Sequence, residues 1–137
     1  MGRILAIDLG SKRTGLAVTD TLAMLANPLE TIPTHKLLDY LKLYLEKEAV
    51  SAIVIGFPKS MNGSATQMTQ PVLALEKKLK RLYPEQLIVL VDERFTSKMA
   101  MQTMIEMGSS KKDRREKAGN LDKISAAIIL QTYLEKK

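Results

Sequence analysis

This chain contains no cysteine and no tryptophan. Without cysteine there can be no disulfide and no thiolate-bound metal, and the absence suits a reducing compartment. Aromatic residues make up only 4% of the chain, so a core must be built from Leu, Ile, Val, Met and Ala. Long apolar runs are also missing. The longest near the C-terminus, Ile124–Leu130, falls far short of the roughly 20 residues that cross a bilayer. Met1–Leu9 is too short, and with Asp8 too acidic, to read as a secretion signal. A soluble, cytoplasmic protein with no membrane partner is expected. Histidine occurs once, at His35, where a helix is expected to start, and it is assigned to the surface with no role.

What is present points to one domain spanning residues 1–137, since 45% apolar residues over this length suffice for a single core. Lys and Arg number 21 against 15 Asp and Glu, a net charge of +6. A basic balance favours a polyanionic partner, because displaced counterions drive association with phosphate backbones. Many basic proteins bind no nucleic acid, so charge alone does not decide the matter.

The apolar pattern divides the chain into alternating strands and helices. Arg3–Leu9 and Thr14–Thr19 read as strands joined by a hairpin at residues 10–13, and Leu29–Ile32 as an edge strand bracketed by Pro28 and Pro33. Leu37, Leu38, Leu41, Leu45 and Ala49 recur at helical spacing, with Thr34 placed to cap the start. Ala52–Ile55 is a buried strand running out at Gly56-Phe57-Pro58. Met68, Val72, Leu75, Leu79 and Leu82 mark a second helix. Pro71 lies either in its first turn, with a start near Thr69, or at a kink. Leu87–Val91 is a further strand leading into Asp92-Glu93-Arg94, and a Met-rich third helix from Thr96 or Ser97 stops at Gly108. Ser109–Gly119 lacks periodicity and carries Lys111, Lys112, Arg114, Arg115 and Lys117 against two acids. Asn120 is expected to cap a last helix with Leu121, Ile124, Ser125, Ile128 and Thr132 along its inward face. Short early turns make the first three strands antiparallel, and right-handed crossovers make the later ones parallel. The expected architecture is α/β: a mixed five-stranded sheet with helices on both faces.

Three acids stand in positions where carboxylates carry chemistry. Asp8 interrupts an apolar strand, a costly place unless the group is paired or bound to a cation. Hydrogen bonds from the amides of residues 10–13 would account for it equally well. Glu93 follows a strand end, where α/β sheets gather ligands, and a salt bridge to Arg94 competes with that account. Asp122, two residues past the expected cap, could simply answer the helix dipole. If the sheet brings them to one edge, the three offer hard oxygen donors of the kind Mg²⁺ takes.

Ile4-Leu5-Ala6-Ile7-Asp8-Leu9-Gly10-Ser11-Lys12-Arg13-Thr14-Gly15-Leu16-Ala17 resembles the opening motif of the YqgF family. Ile53-Val54-Ile55-Gly56-Phe57-Pro58 with Asn62-Gly63, then Asp92-Glu93-Arg94-Phe95-Thr96-Ser97, then Leu121-Asp122-Lys123-Ile124-Ser125-Ala126-Ala127 resemble the second, third and fourth. The motifs occur in order and cover essentially the whole chain. Lys123 stands where the family usually has a small residue, and Ser125 where Ala is common. The resemblance implies an RNase H-like fold and divalent-metal-dependent cleavage of nucleic acid, with Mg²⁺ or Mn²⁺ held by Asp8, Glu93 and Asp122.

Basic residues around those acids are candidate phosphate ligands: Lys12 and Arg13 at the hairpin, Lys59 after the second motif, Arg94 beside Glu93, and Lys111, Lys112, Arg114 and Arg115 in the basic segment. That segment is expected to close over the substrate backbone. Family members are described as Holliday junction resolvases and as nucleases maturing the 5′ end of 16S ribosomal RNA. The expected substrate is therefore an rRNA precursor, with the small ribosomal subunit as a partner, or branched DNA. A resolvase would act as a homodimer and a trimming enzyme could act as a monomer. Two other classes compete. Asp8-Leu9-Gly10-Ser11 resembles the phosphate-binding turn of actin-like ATPases, which need two such subdomains. A non-catalytic nucleic-acid-binding protein is the other, favoured by Lys123 beside Asp122.

Overall fold

The computed structural model describes residues 2–57, 66–92 and 114–136, with backbone alone at 114–121 and 136. The described elements are β1 (Arg3–Leu9), β2 (Arg13–Thr19), β3 (Ala26–Pro33), a 3₁₀ turn (Thr34–Lys36), α1 (Leu37–Lys47), β4 (Val50–Phe57), α2 (Thr69–Leu82), β5 (Leu87–Asp92) and α3 (Arg114–Lys136). The Met-rich segment expected as a further helix lies outside the described residues.

The strands form one five-stranded sheet in the order β3-β2-β1-β4-β5. β1 pairs antiparallel with β2, which pairs antiparallel with β3, while β4 runs parallel to both β1 and β5. β1 is thus central. Its C-terminal end, the turn into β2 and the ends of β4 and β5 share one sheet edge, so Asp8 and Asp92 finish two strands apart on the same side. This is the mixed sheet of an RNase H-like α/β fold, as expected.

Alternation along the strands sends two different sets of side chains to the two faces. Leu5, Ile7, Leu16, Val18, Ile53 and Ile55 pack with Leu37 and Leu41 of α1 and Val72 and Leu79 of α2. On the other face Ile4, Ala6, Ala17, Ala52, Val54 and Val91 meet Ala126, Ile129 and Leu130 of α3. The first layer is filled by large aliphatic groups. The second is rich in alanine, which lets α3 lie close to the strands.

Several local expectations are corrected. Both prolines fall inside β3, an edge strand, and the ladder shifts register between Leu16 and Ala17, which face Glu30 and Pro28. A missing amide proton is tolerated at such an edge. Thr34 does not cap α1, which starts after Lys36 without a side-chain cap. α2 begins at Thr69 with Pro71 in its first turn, so the helix needs no kink. Gly56 lies within β4 instead of following it. Asn120 is no cap either: α3 begins at Arg114 and runs through it, so the segment assigned to a loop is helical from Arg114 on. The inward face of α3 is Ser125, Ala126, Ile129 and Leu130, whereas Ile124 and Ile128 are only half-buried. Ala126, Ile129 and Leu130 are the α3 residues that pack on the alanine-rich face.

Candidate active site

Asp8 belongs to the face that α3 covers. Ile4 and Ala6 precede it on that face, and Leu5, Ile7 and Leu9 pack on the opposite one. Its cross-strand partner is Gly15. On its other side the ladder reaches Ile7 opposite Ile55, so Gly56 is the next residue of β4 beside it. Asp8 is half-buried, flanked by Gly15 on β2 and Gly56 on β4.

Gly15 also receives the helix. A Cβ there would collide with the main-chain carbonyl of Asp122 and crowd the Lys123 amide. The backbone of α3 therefore lies directly on the residue paired with Asp8. This single approach brings the first and fourth sequence motifs together, across more than a hundred residues of chain. The sequence signal for it was a glycine inside a strand, which marks close backbone approach as often as a turn.

Asp122 lies about two turns inside α3. The dipole of a helix N-terminus acts within the first turn and does not account for it. What faces it is Arg13, whose Nε donates to Oδ2 of Asp122 at 3.0 Å. Asp122 is 26% exposed at the side chain and Arg13 is 54% exposed. Arg13, assigned from sequence to phosphate, is thus paired with one of the acids. Asp122 thus pairs with Arg13, across the sheet end, and not with its chain neighbour Lys123.

The turn that carries Lys12 and Arg13 is tied to the β3–α1 junction. The Thr34 amide donates to the Lys12 carbonyl at 2.9 Å, and the Thr34 hydroxyl donates to the Gly10 carbonyl at 2.7 Å. Because the Thr34 hydroxyl has one proton, the Thr14 hydroxyl is the donor in their 2.8 Å contact. Thr14 is fully buried, and Gly10 permits a turn in which a Cβ would strike the Arg13 carbonyl. Lys12 is exposed at the tip. Sequence reasoning missed Thr34 and Thr14 as supports, since neither spacing nor residue type announces a bond across 20 residues.

Glu93, Lys59, Arg94, Lys111 and Lys112 lie outside the described residues. Arg114 and Arg115 are placed by backbone alone, in the first turn of α3. Among the described residues no group of three His, Cys, Asp or Glu side chains is gathered as a metal site. Asp8 and Asp122 supply two carboxylates at one sheet end, and β5 delivers the chain to that same end at Asp92. A hard divalent cation fits this donor chemistry. No described helix is long and apolar enough to cross a membrane.

The model of the family described as "RuvX: Holliday junction resolvase" matches residues 2–136. A protein of Bacteroides thetaiotaomicron is 53% identical over 137 residues, covering 100% of this chain and 99% of its own. One of Flavobacterium johnsoniae is 50% identical over the same length, covering 100% and 99%. One of Porphyromonas gingivalis is 49% identical over 135 residues, covering 98% and 97%. All three carry the name "Putative pre-16S rRNA nuclease".

Proposed function

The chain belongs to the RuvX family of Holliday junction resolvases, and we propose that it is a divalent-metal-dependent nuclease, a single domain whose role is 5′-end processing of the 16S rRNA precursor. The observation that carries this reading is the seating of Asp122 on Gly15, the cross-strand partner of Asp8. Two carboxylates brought to one end of a central strand offer the hard oxygen donors that a divalent cation takes.

In this reading Asp8, Glu93 and Asp122 hold Mg²⁺ or Mn²⁺. A cation bound there would supply Lewis-acid stabilisation of the charge that develops on the phosphoryl oxygens. Lys12, Arg13, Lys59 and Arg94 position the phosphodiester near the acids, and Lys111, Lys112, Arg114 and Arg115 neutralise flanking phosphates. Water adds to phosphorus as the bond to the leaving oxygen breaks. The water's proton passes to solvent, and the leaving oxygen takes one up.

The family's own description favours a second reading, cleavage of four-way DNA junctions. The deciding experiment compares a pre-16S rRNA fragment with a four-way DNA junction, each with Mg²⁺, with Mn²⁺ and with EDTA. We expect cleavage of the RNA, its loss in EDTA, and a fall of about a hundredfold or more in the Asp8→Asn variant. Equal cleavage by Asp8→Asn would sink the mechanism. Preference for the junction would transfer the reading to DNA, and binding without cleavage across metals and substrates would leave a non-catalytic protein.

A further inference from the structure

We propose that Arg13 and a divalent cation are alternative partners of Asp122: Arg13 holds the acid in the cation-free protein and passes to a substrate phosphate when the cation arrives. The proposal rests on the reading above, in which Asp122 is a ligand of that cation.

Three observations carry it. The Arg13 guanidinium lies on the carboxylate itself, through Nε at 3.0 Å from Oδ2. A dication sharing that carboxylate would sit close to the guanidinium and repel it, so the two do not comfortably occupy it together. The pair is also unequal in freedom. Asp122 is fixed by a helix backbone pressed onto Gly15, whereas the Arg13 side chain is more than half exposed, with solvent beside it to turn into. Finally, an exposed ion pair shifts an equilibrium only a few-fold, so a cation held by several carboxylates displaces it readily. Once displaced, Arg13 remains beside the site on a turn held by Thr34, and its planar fork suits a phosphate.

Arg13 is therefore a positioning residue with two stations. Because cation binding frees the group that grips phosphate, the two events reinforce each other, and the reinforcement is reciprocal. If Arg13 merely pre-aligned Asp122 for the cation, removing it would weaken cation binding. The exchange requires the opposite sign.

The test uses the full chain and a readout apart from cleavage. Calorimetric titration with Mn²⁺ in the absence of nucleic acid should show about three- to tenfold tighter binding in Arg13→Gln than in the native protein. Arg13→Lys, which keeps the charge, should return the affinity toward the native value. Anisotropy of a labelled RNA hairpin, with and without Ca²⁺, should show a smaller cation-dependent gain in affinity for Arg13→Gln than for the native protein. Asp8→Asn serves as the site control, and thermal melts establish that each variant is folded. If the native protein binds Mn²⁺ and Asp8→Asn does not, while Arg13→Gln binds equally or more weakly than native, the exchange is overturned and the metal site stands. If the native protein binds no Mn²⁺, the metal site falls and the exchange with it.

Discussion

Gly15 has the most to lose from a single added methyl group. Its missing side chain is the space in which the Asp122 carbonyl lies, so Gly15→Ala must push α3 away from β2. Overpacking of this kind costs about 1–3 kcal/mol. Urea denaturation should show that loss, and the cleavage rate should fall by more than stability explains, because Asp122 moves with the helix. Asp20 offers a test of a different kind. Backbone amides of Leu25, Met24 and Leu22 donate to its carboxylate and hold its pKa below the ordinary carboxylate range. They order a turn in which Ala23 takes a positive φ of 55°. A depressed folded-state pKa gives stability that is present above the unfolded value and lost as pH falls through the folded one. The urea midpoint of Asp20→Ala should therefore lie below native at neutral pH and converge with it as pH falls through the lowered folded-state value.

At the level of elements, the two sides of the sheet make different demands. On the aliphatic side Leu79 is fully buried against other large side chains, so Leu79→Ala leaves a cavity and costs about 2–5 kcal/mol. Because α2 packs on the sheet face opposite α3 and Asp122, the folded fraction of that variant should cleave at the native rate. On the alanine side the constraint is closeness. Ala126→Leu forces α3 off the sheet, costing about 1–3 kcal/mol, and it should also depress turnover, since Asp122 lies one turn away. Paired melting and single-turnover measurements distinguish the two. If both variants lose turnover alike, the asymmetry between the layers has no functional meaning.

For the molecule as a whole, a net charge of +6 sets how strongly binding depends on salt. Each phosphate contact removed should flatten the slope of log affinity against log salt by about 0.7–0.9. Replacing Lys111, Lys112, Arg114 and Arg115 together with Ala should lower that slope and weaken binding with little regard to sequence. Anisotropy titrations across a salt series check it, and an unchanged slope removes those residues from the interface.

The five strands and their antiparallel-then-parallel directions were legible in the chain, because period and turn residues are local properties. Thr34 and Asn120 show where local reading fails. Each looks like a helix cap, yet Thr34 is drawn off to the Gly10 carbonyl and Asn120 is carried into a longer helix. The rotation of α3 by one residue could not be read from its own pattern, since several apolar stripes were available and the alanine-lined sheet selected among them. The pairing of Arg13 with Asp122 spans 109 residues. Residue type alone assigned Arg13 to a phosphate and placed Asp122 at a helix start. Sequence determined which groups could do chemistry; only the packing of α3 onto Gly15 decided which of them meet, because contact between distant residues depends on backbone approach that no local pattern encodes.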